Sequence, residues 1–235
     1  VFPLKKPKGA AVGGIFVLMI GFFLIAYVYS LLVLYFAPGA LENASENMDK
    51  LLHIPSLPLE ILLTALCPAI CEEAMFRGVI LHSFRNSLGK WTAIILSALL
   101  FGVMHMTPVR MFMPAVLGIL IALIVLETGN MFYGSLLHFS YNAILTLLSR
   151  WAEGFTNGGE DLYLETLSGP SVGLCVMAMG IFIPFLLWLG LWLIRRSTAP
   201  RIPDLFPKGE IRKTLLRILL PTCGIIFLGI VVFFI

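Results

Sequence analysis

The chain has 235 residues, 59% of them hydrophobic and 12% charged, with a formal net charge of +3 and a mean hydropathy of +0.98. A soluble domain of this size carries roughly 25% charged residues and about half apolar ones, so a single water-solvated core is excluded and the bilayer must solvate most of the chain. A charge this modest gives no sign of a nucleic-acid partner.

Lys5, Lys6 and Lys8 precede an apolar run over 10–36. That run is too long for the core of a signal peptide and no A-x-A site follows it, so it reads as a retained first span. Further apolar stretches cover 58–83, 91–106, 114–127, 131–149, 172–194 and 214–235. In lipid the backbone groups must pair within the segment, which makes each stretch a helix. The third, fourth and fifth are short. The fold class predicted is all-α: a polytopic transmembrane bundle of about seven or eight helices, one integral-membrane domain over 1–235 with its catalytic core near 58–149.

The loops alternate in charge. Glu42, Glu46 and Asp49 outnumber Lys50 in 37–57, and Arg85 and Lys90 flank the 84–90 turn. Glu153, Glu160, Asp161 and Glu165 stand against Arg150 in 150–171, whereas 195–213 holds Arg195, Arg196, Arg201, Lys208, Arg212 and Lys213. Alternate basic loops predict a cytoplasmic N-terminus. Cys67, Cys71, Cys175 and Cys223 all lie in apolar segments without a C-x-x-C, and read as small buried hydrophobes.

Ionisable groups inside a span cost about 2.5–3.5 kcal/mol each on insertion scales, so each is a functional candidate. Glu72, Glu73 and Arg77 lie in the second span, His105 ends the third, and His138 lies in the fifth with Asn142 one turn on. Glu60, Glu127 and Arg217 sit near span ends, where a long side chain reaches the interface. Arg77 follows Glu73 at the spacing where helical side chains meet, so these two are expected to pair. Neighbours on a helix point about 100° apart, so Glu72 and Glu73 are not expected to face one partner. Glu72, left without a counter-ion, suits a general base. The second and third spans form a hairpin about Asn86–Gly89, which brings Glu72 and His105 to one depth. His138 and Asn142 share a face.

Singly, each of these has an ordinary reading. A lone intramembrane histidine is commonly a helix–helix hydrogen bonder, and a Glu–Arg pair is commonly architectural. His82 and His53 read as interface and loop residues. Joint depth and chemistry single out Glu72, His105, His138 and Asn142.

Glu72-Glu73-x-x-x-Arg77, Phe101-x-x-x-His105 and His138-x-x-x-Asn142, with Phe76-Arg77-Gly78 reinforcing the first, resemble the three motifs of the CAAX-protease and bacteriocin-processing family. The resemblance covers about 60–149 and implies an intramembrane endopeptidase acting on peptide or lipidated protein substrates in contact with membrane lipid, with a prokaryotic plasma membrane as its expected setting. It implies that Glu72 with His105 activates the attacking water and that His138 and Asn142 stabilise the oxyanion, with Glu73 and Arg77 supporting. No metal cofactor is favoured, because Asn142 suits an oxyanion hole and no H-E-x-x-H occurs. If zinc were used, its ligands would be Glu72, His105 and His138. The alternatives are a non-enzymatic membrane scaffold or immunity protein that keeps the fold, and a proton-coupled transporter. Absence of inverted repeats counts against the transporter.

Overall fold

The structure, a computed structural model, describes residues 4–40, 56–153, 168–198 and 209–235. Glu42, Glu46, Asp49, Lys50, His53, Glu160, Asp161, Glu165, Arg201 and Lys208 lie outside the described residues. Among the described residues there is no strand. The main helices among the described residues are α1 (Gly9–Phe36), α2 (57–87), α3 (Lys90–Val103), α4 (Pro108–Thr128), α5 (Met131–Glu153), α6 (Gly169–Thr198) and α7 (Ile211–Phe234). Of these, α1, α4, α6 and α7 are long and apolar enough to cross a membrane.

Helix α2 is a continuous helical run of five pieces. Cys67–Glu73 is flanked by wide π-type turns at Leu62–Leu66 and Ala74–Ile80, with Leu57–Ile61 before and Leu81–Ser87 after. In the wide turns the hydrogen bond reaches one residue further back: Cys67 N–H donates to Leu62 O and Leu81 N–H to Phe76 O. Such turns occur mostly as single insertions and cluster at functional sites.

Two of the helix ends that differ from the sequence expectation have a local cause. Helix α4 starts at Pro108, not near 114, because Thr107 is extended and Pro108 takes the first turn, where a missing N–H costs nothing. Helix α5 runs on to Glu153 and therefore contains Arg150, expected in a loop. Arg150 can stay helical because its Nε donates to Glu60 Oε2 at 2.7 Å. Hydropathy misplaced both ends because a single arginine near a helix end lowers the local average.

The chain divides into two compact units, Val1–Val12 with Asn43–Trp151, and Gly13–Glu42 with Ala152–Ile235. In the second unit, Val28, Val172, Val176, Ile183 and Val232 from α1, α6 and α7 form the core. Helix backbones approach closely there. A Cβ on Gly173 would lie 2.6 Å from Gly229 O, and one on Gly14 would lie 2.8 Å from Gly190 O. Without a hydrophobic drive between helices in lipid, such small-residue contacts supply the packing.

In the first unit, Leu81, Ala93, Ile94 and Ala122 from α2, α3 and α4 form a core. The α3–α4 crossing is close: a Cβ on Gly102 would stand 2.6 Å from Met111 O. Helix α4 ends at Gly129, in the left-handed region at φ 59°, and Gly129 N–H donates to Val125 O. Asn130 then starts α5. Its Oδ1 accepts the N–H of Phe132 and of Lys5, and its Nδ2 donates to Lys5 O. Lys8 N–H donates to the buried Tyr133 hydroxyl. The N-terminal segment is thus tied to the α4–α5 turn.

Candidate active site

Arg77 has no exposed surface, and three groups compensate for its burial. Its Nη1 donates to Glu73 Oε1 at 2.9 Å, its Nη2 donates to Gly118 O at 3.2 Å, and the guanidinium lies 4.6 Å from the centre of the Phe101 ring. Removing water strengthens each of these contacts. The expected Glu73–Arg77 pair is therefore present.

Glu73 has a second partner. His138 Nδ1 stands 2.8 Å from the same Oε1, across 65 residues of sequence. A carboxylate accepts, so the proton lies on Nδ1. The other ring nitrogen, Nε2, faces Glu72 Oε2 at 3.8 Å. That is ion-pair distance but too long for a direct hydrogen bond. The expectation that Glu72 and Glu73 cannot face one partner is corrected. The 100° step sets the direction of each Cα–Cβ bond, but a glutamate has three further torsions, and an imidazole offers a nitrogen on either flank. Glu73 and His138 are buried at 1% and 3% exposure, whereas the Glu72 side chain keeps 36%, so Glu72 is the open carboxylate of the two.

His105 does not end α3 but lies two residues beyond Val103, in the tight turn to α4. Its Nδ1 is 3.0 Å from Phe101 O. A carbonyl can only accept, which puts the proton on Nδ1 and leaves Nε2 as the acceptor. Thr107 N–H donates to His105 O at 2.8 Å, and Met106 between them has φ 67°. A left-handed conformation costs a non-glycine residue about 1–2 kcal/mol. Met106 is 85% exposed and has little packing to lose. Met106→Gly is therefore expected to raise stability by up to about 1 kcal/mol, read as a higher unfolding temperature in detergent.

The rings of His105 and His138 both meet Phe101 edge to face, at centroid distances of 5.3 and 5.7 Å, and Phe76 meets it at 5.0 Å. Phe101 is the shared wall of the site. The structure therefore joins Glu72, Glu73 and His138 directly and His105 through Phe101. Asn142 lies one turn from His138, and its Nδ2 donates to Thr64 O at 3.1 Å.

Residues not singled out from sequence extend this line. Thr146 Oγ1 donates to Asn142 O at 3.0 Å and lies 2.9 Å from Thr64 Oγ1, and Arg150 pairs with Glu60. His138, Asn142, Thr146 and Arg150 recur every four residues, a polar stripe on α5 that the sequence pattern contained. Ser97 Oγ donates to Phe76 O in the second wide turn.

Among the described residues, no three of His, Cys, Asp and Glu are grouped closely enough to hold a metal ion.

Residues 54–144 match the sequence model of a family described as "Type II CAAX prenyl endopeptidase Rce1-like". This segment contains all seven residues of the three motifs and bears out the resemblance seen in them. At the level of that family the match implies a protease. Together with the apolar helices it fits an integral membrane protein. No curated protein and no solved structure matches the chain.

Proposed function

We propose that the first unit is an intramembrane endopeptidase that hydrolyses peptide bonds of membrane-associated or lipidated substrates with a water activated by Glu72. The observation that carries this reading is His138 held between two carboxylates, one buried and paired, one open.

Glu72 takes one proton from the attacking water. His105, with Nε2 free to accept, holds the other. The water oxygen adds to the scissile carbonyl. Glu72 passes that proton to His138 Nε2, 3.8 Å away, so that His138 keeps one N–H on Glu73 and turns the other toward the developing oxyanion, with Asn142 Nδ2 as a second donor. Each such donor contributes about 2.7–4 kcal/mol. Collapse breaks the C–N bond, and the proton returns from His138 Nε2 through Glu72 to the leaving amine. Phe101 and the Glu73–Arg77 pair hold the rings in place.

Peptide hydrolysis by this route needs no metal. Dialysis against a strong chelator is expected to leave kcat within twofold, while zinc restores nothing; loss of turnover on chelation, recovered with zinc, would overturn this part of the mechanism. For orientation we propose a cytoplasmic N-terminus. Lys5 binds Asn130 at the end where α2 turns into α3, and Lys90 faces Glu127 at 3.9 Å there, so the lysines gather at one end of the unit. The activity test is cleavage of a reporter peptide ending in a prenylated CAAX sequence by purified protein in liposomes. A folded protein that cleaves neither this reporter nor its unprenylated form would defeat the proposal.

A further inference from the structure

Pro68 lies inside α2, four residues after Thr64. In a regular helix the N–H of residue 68 would donate to Thr64 O. Proline has no N–H to give, and here the helix passes from a wide turn, with Cys67 N–H reaching back to Leu62 O, to regular turns, so that a donor at 68 would serve Leu63 O in the first register and Thr64 O in the second. Thr64 O accepts instead from the side chain of Asn142 on α5, at 3.1 Å.

The same residue is gripped from its main chain. Thr146 Oγ1 stands 3.0 Å from Asn142 O and 2.9 Å from Thr64 Oγ1, which in turn stands 2.8 Å from Glu60 O, so two hydroxyl protons are shared among three contacts. Thr64 thus meets Asn142 through its own carbonyl and through Thr146. A carboxamide nitrogen has two N–H donors in one plane. Giving one to Thr64 O fixes that plane, so the direction of the other is no longer free.

We propose that Pro68 is a positioning residue: by withholding an N–H from Thr64 it keeps that carbonyl open for Asn142, and thereby aims the remaining Asn142 N–H. The proposal rests on the reading of Asn142 as an oxyanion donor. It assigns the proline a role opposite in sign to its role in helix stability, since a proline inside a helix ordinarily weakens it.

The test is kinetics of Pro68→Ala, Asn142→Ala and the double variant on the prenylated reporter in liposomes, with unfolding temperatures measured alongside. Alanine supplies the N–H that closes Thr64 O within α2. Pro68→Ala is expected to lower kcat about tenfold, with KM within twofold and an unfolding temperature unchanged or higher. In the Asn142→Ala background the same substitution is expected to lower kcat no further. If Asn142→Ala alone leaves kcat unchanged, the oxyanion role of Asn142 fails and the proposal with it. If Asn142→Ala lowers kcat but Pro68→Ala does not, only the positioning role is overturned. An equal fall in both backgrounds, or a Pro68→Ala protein that no longer folds, would place the effect in the helix itself and also overturn it.

Discussion

Glu72→Gln is expected to lower kcat on the prenylated reporter by about 10²–10⁴-fold, the range a positioned general base supplies, with the unfolding temperature unchanged. The two halves of this expectation come from different observations. Glutamine keeps the shape and a hydrogen-bonding end, but cannot take the proton of the attacking water. Stability should hold because the Glu72 side chain is 36% exposed and its contact to His138 is 3.8 Å, so no buried bond is broken. Turnover at the level of the unaltered protein would remove Glu72 from the chemistry. A Glu72→Gln protein that loses turnover yet still performs its cellular role would favour the scaffold reading over the protease.

The second large effect is on stability. Arg77→Met is expected to cost about 3–5 kcal/mol, because it leaves the Glu73 charge buried at 1% exposure without its cation. Replacing both Glu73 and Arg77 by methionine removes both charges and should recover much of that loss. Methionine at 77 still packs on Phe101, so the single variant isolates the charge rather than a cavity. The double variant should nevertheless be slow, because His138 Nδ1 no longer has the carboxylate that orients it. Reversible unfolding in mixed micelles reads the first quantity and reporter cleavage the second. An Arg77→Met cost below about 1 kcal/mol, in the range of an exposed ion pair, would mean that water reaches this pair. A double variant with full turnover would show that Glu73 does not position His138.

These two glutamates, adjacent in sequence, mark how far the sequence could be read. Glu73 with Arg77 was legible because a helix brings i and i+4 together whatever surrounds it. The second partner of Glu73 was not legible, since His138 is 65 residues away and reaches Oε1 only once α5 is packed on α2. Glu72 was rightly separated from Arg77 but wrongly from His138, because periodicity fixes where a side chain leaves the helix and not where a flexible carboxylate ends. His105 was placed at the end of a helix by its apolar neighbours. The hydrogen bonds of the Gly102–Thr107 turn, which hydropathy does not encode, put it beyond that end.

Composition alone required a membrane environment, since no arrangement of 59% hydrophobic residues can be hidden from water in a chain of 235. The motif spacings alone pointed to the family over the segment that matches it. Tertiary structure decided which nitrogen of each histidine faces an acceptor, that Asn142 leans on the carbonyl of Thr64, and that Phe101 is common ground for two imidazoles. The physical reason is one of range. Helical periodicity and hydropathy act within about a turn or a span, whereas every one of these choices except the His105 bond to its own turn depends on atoms from a different helix.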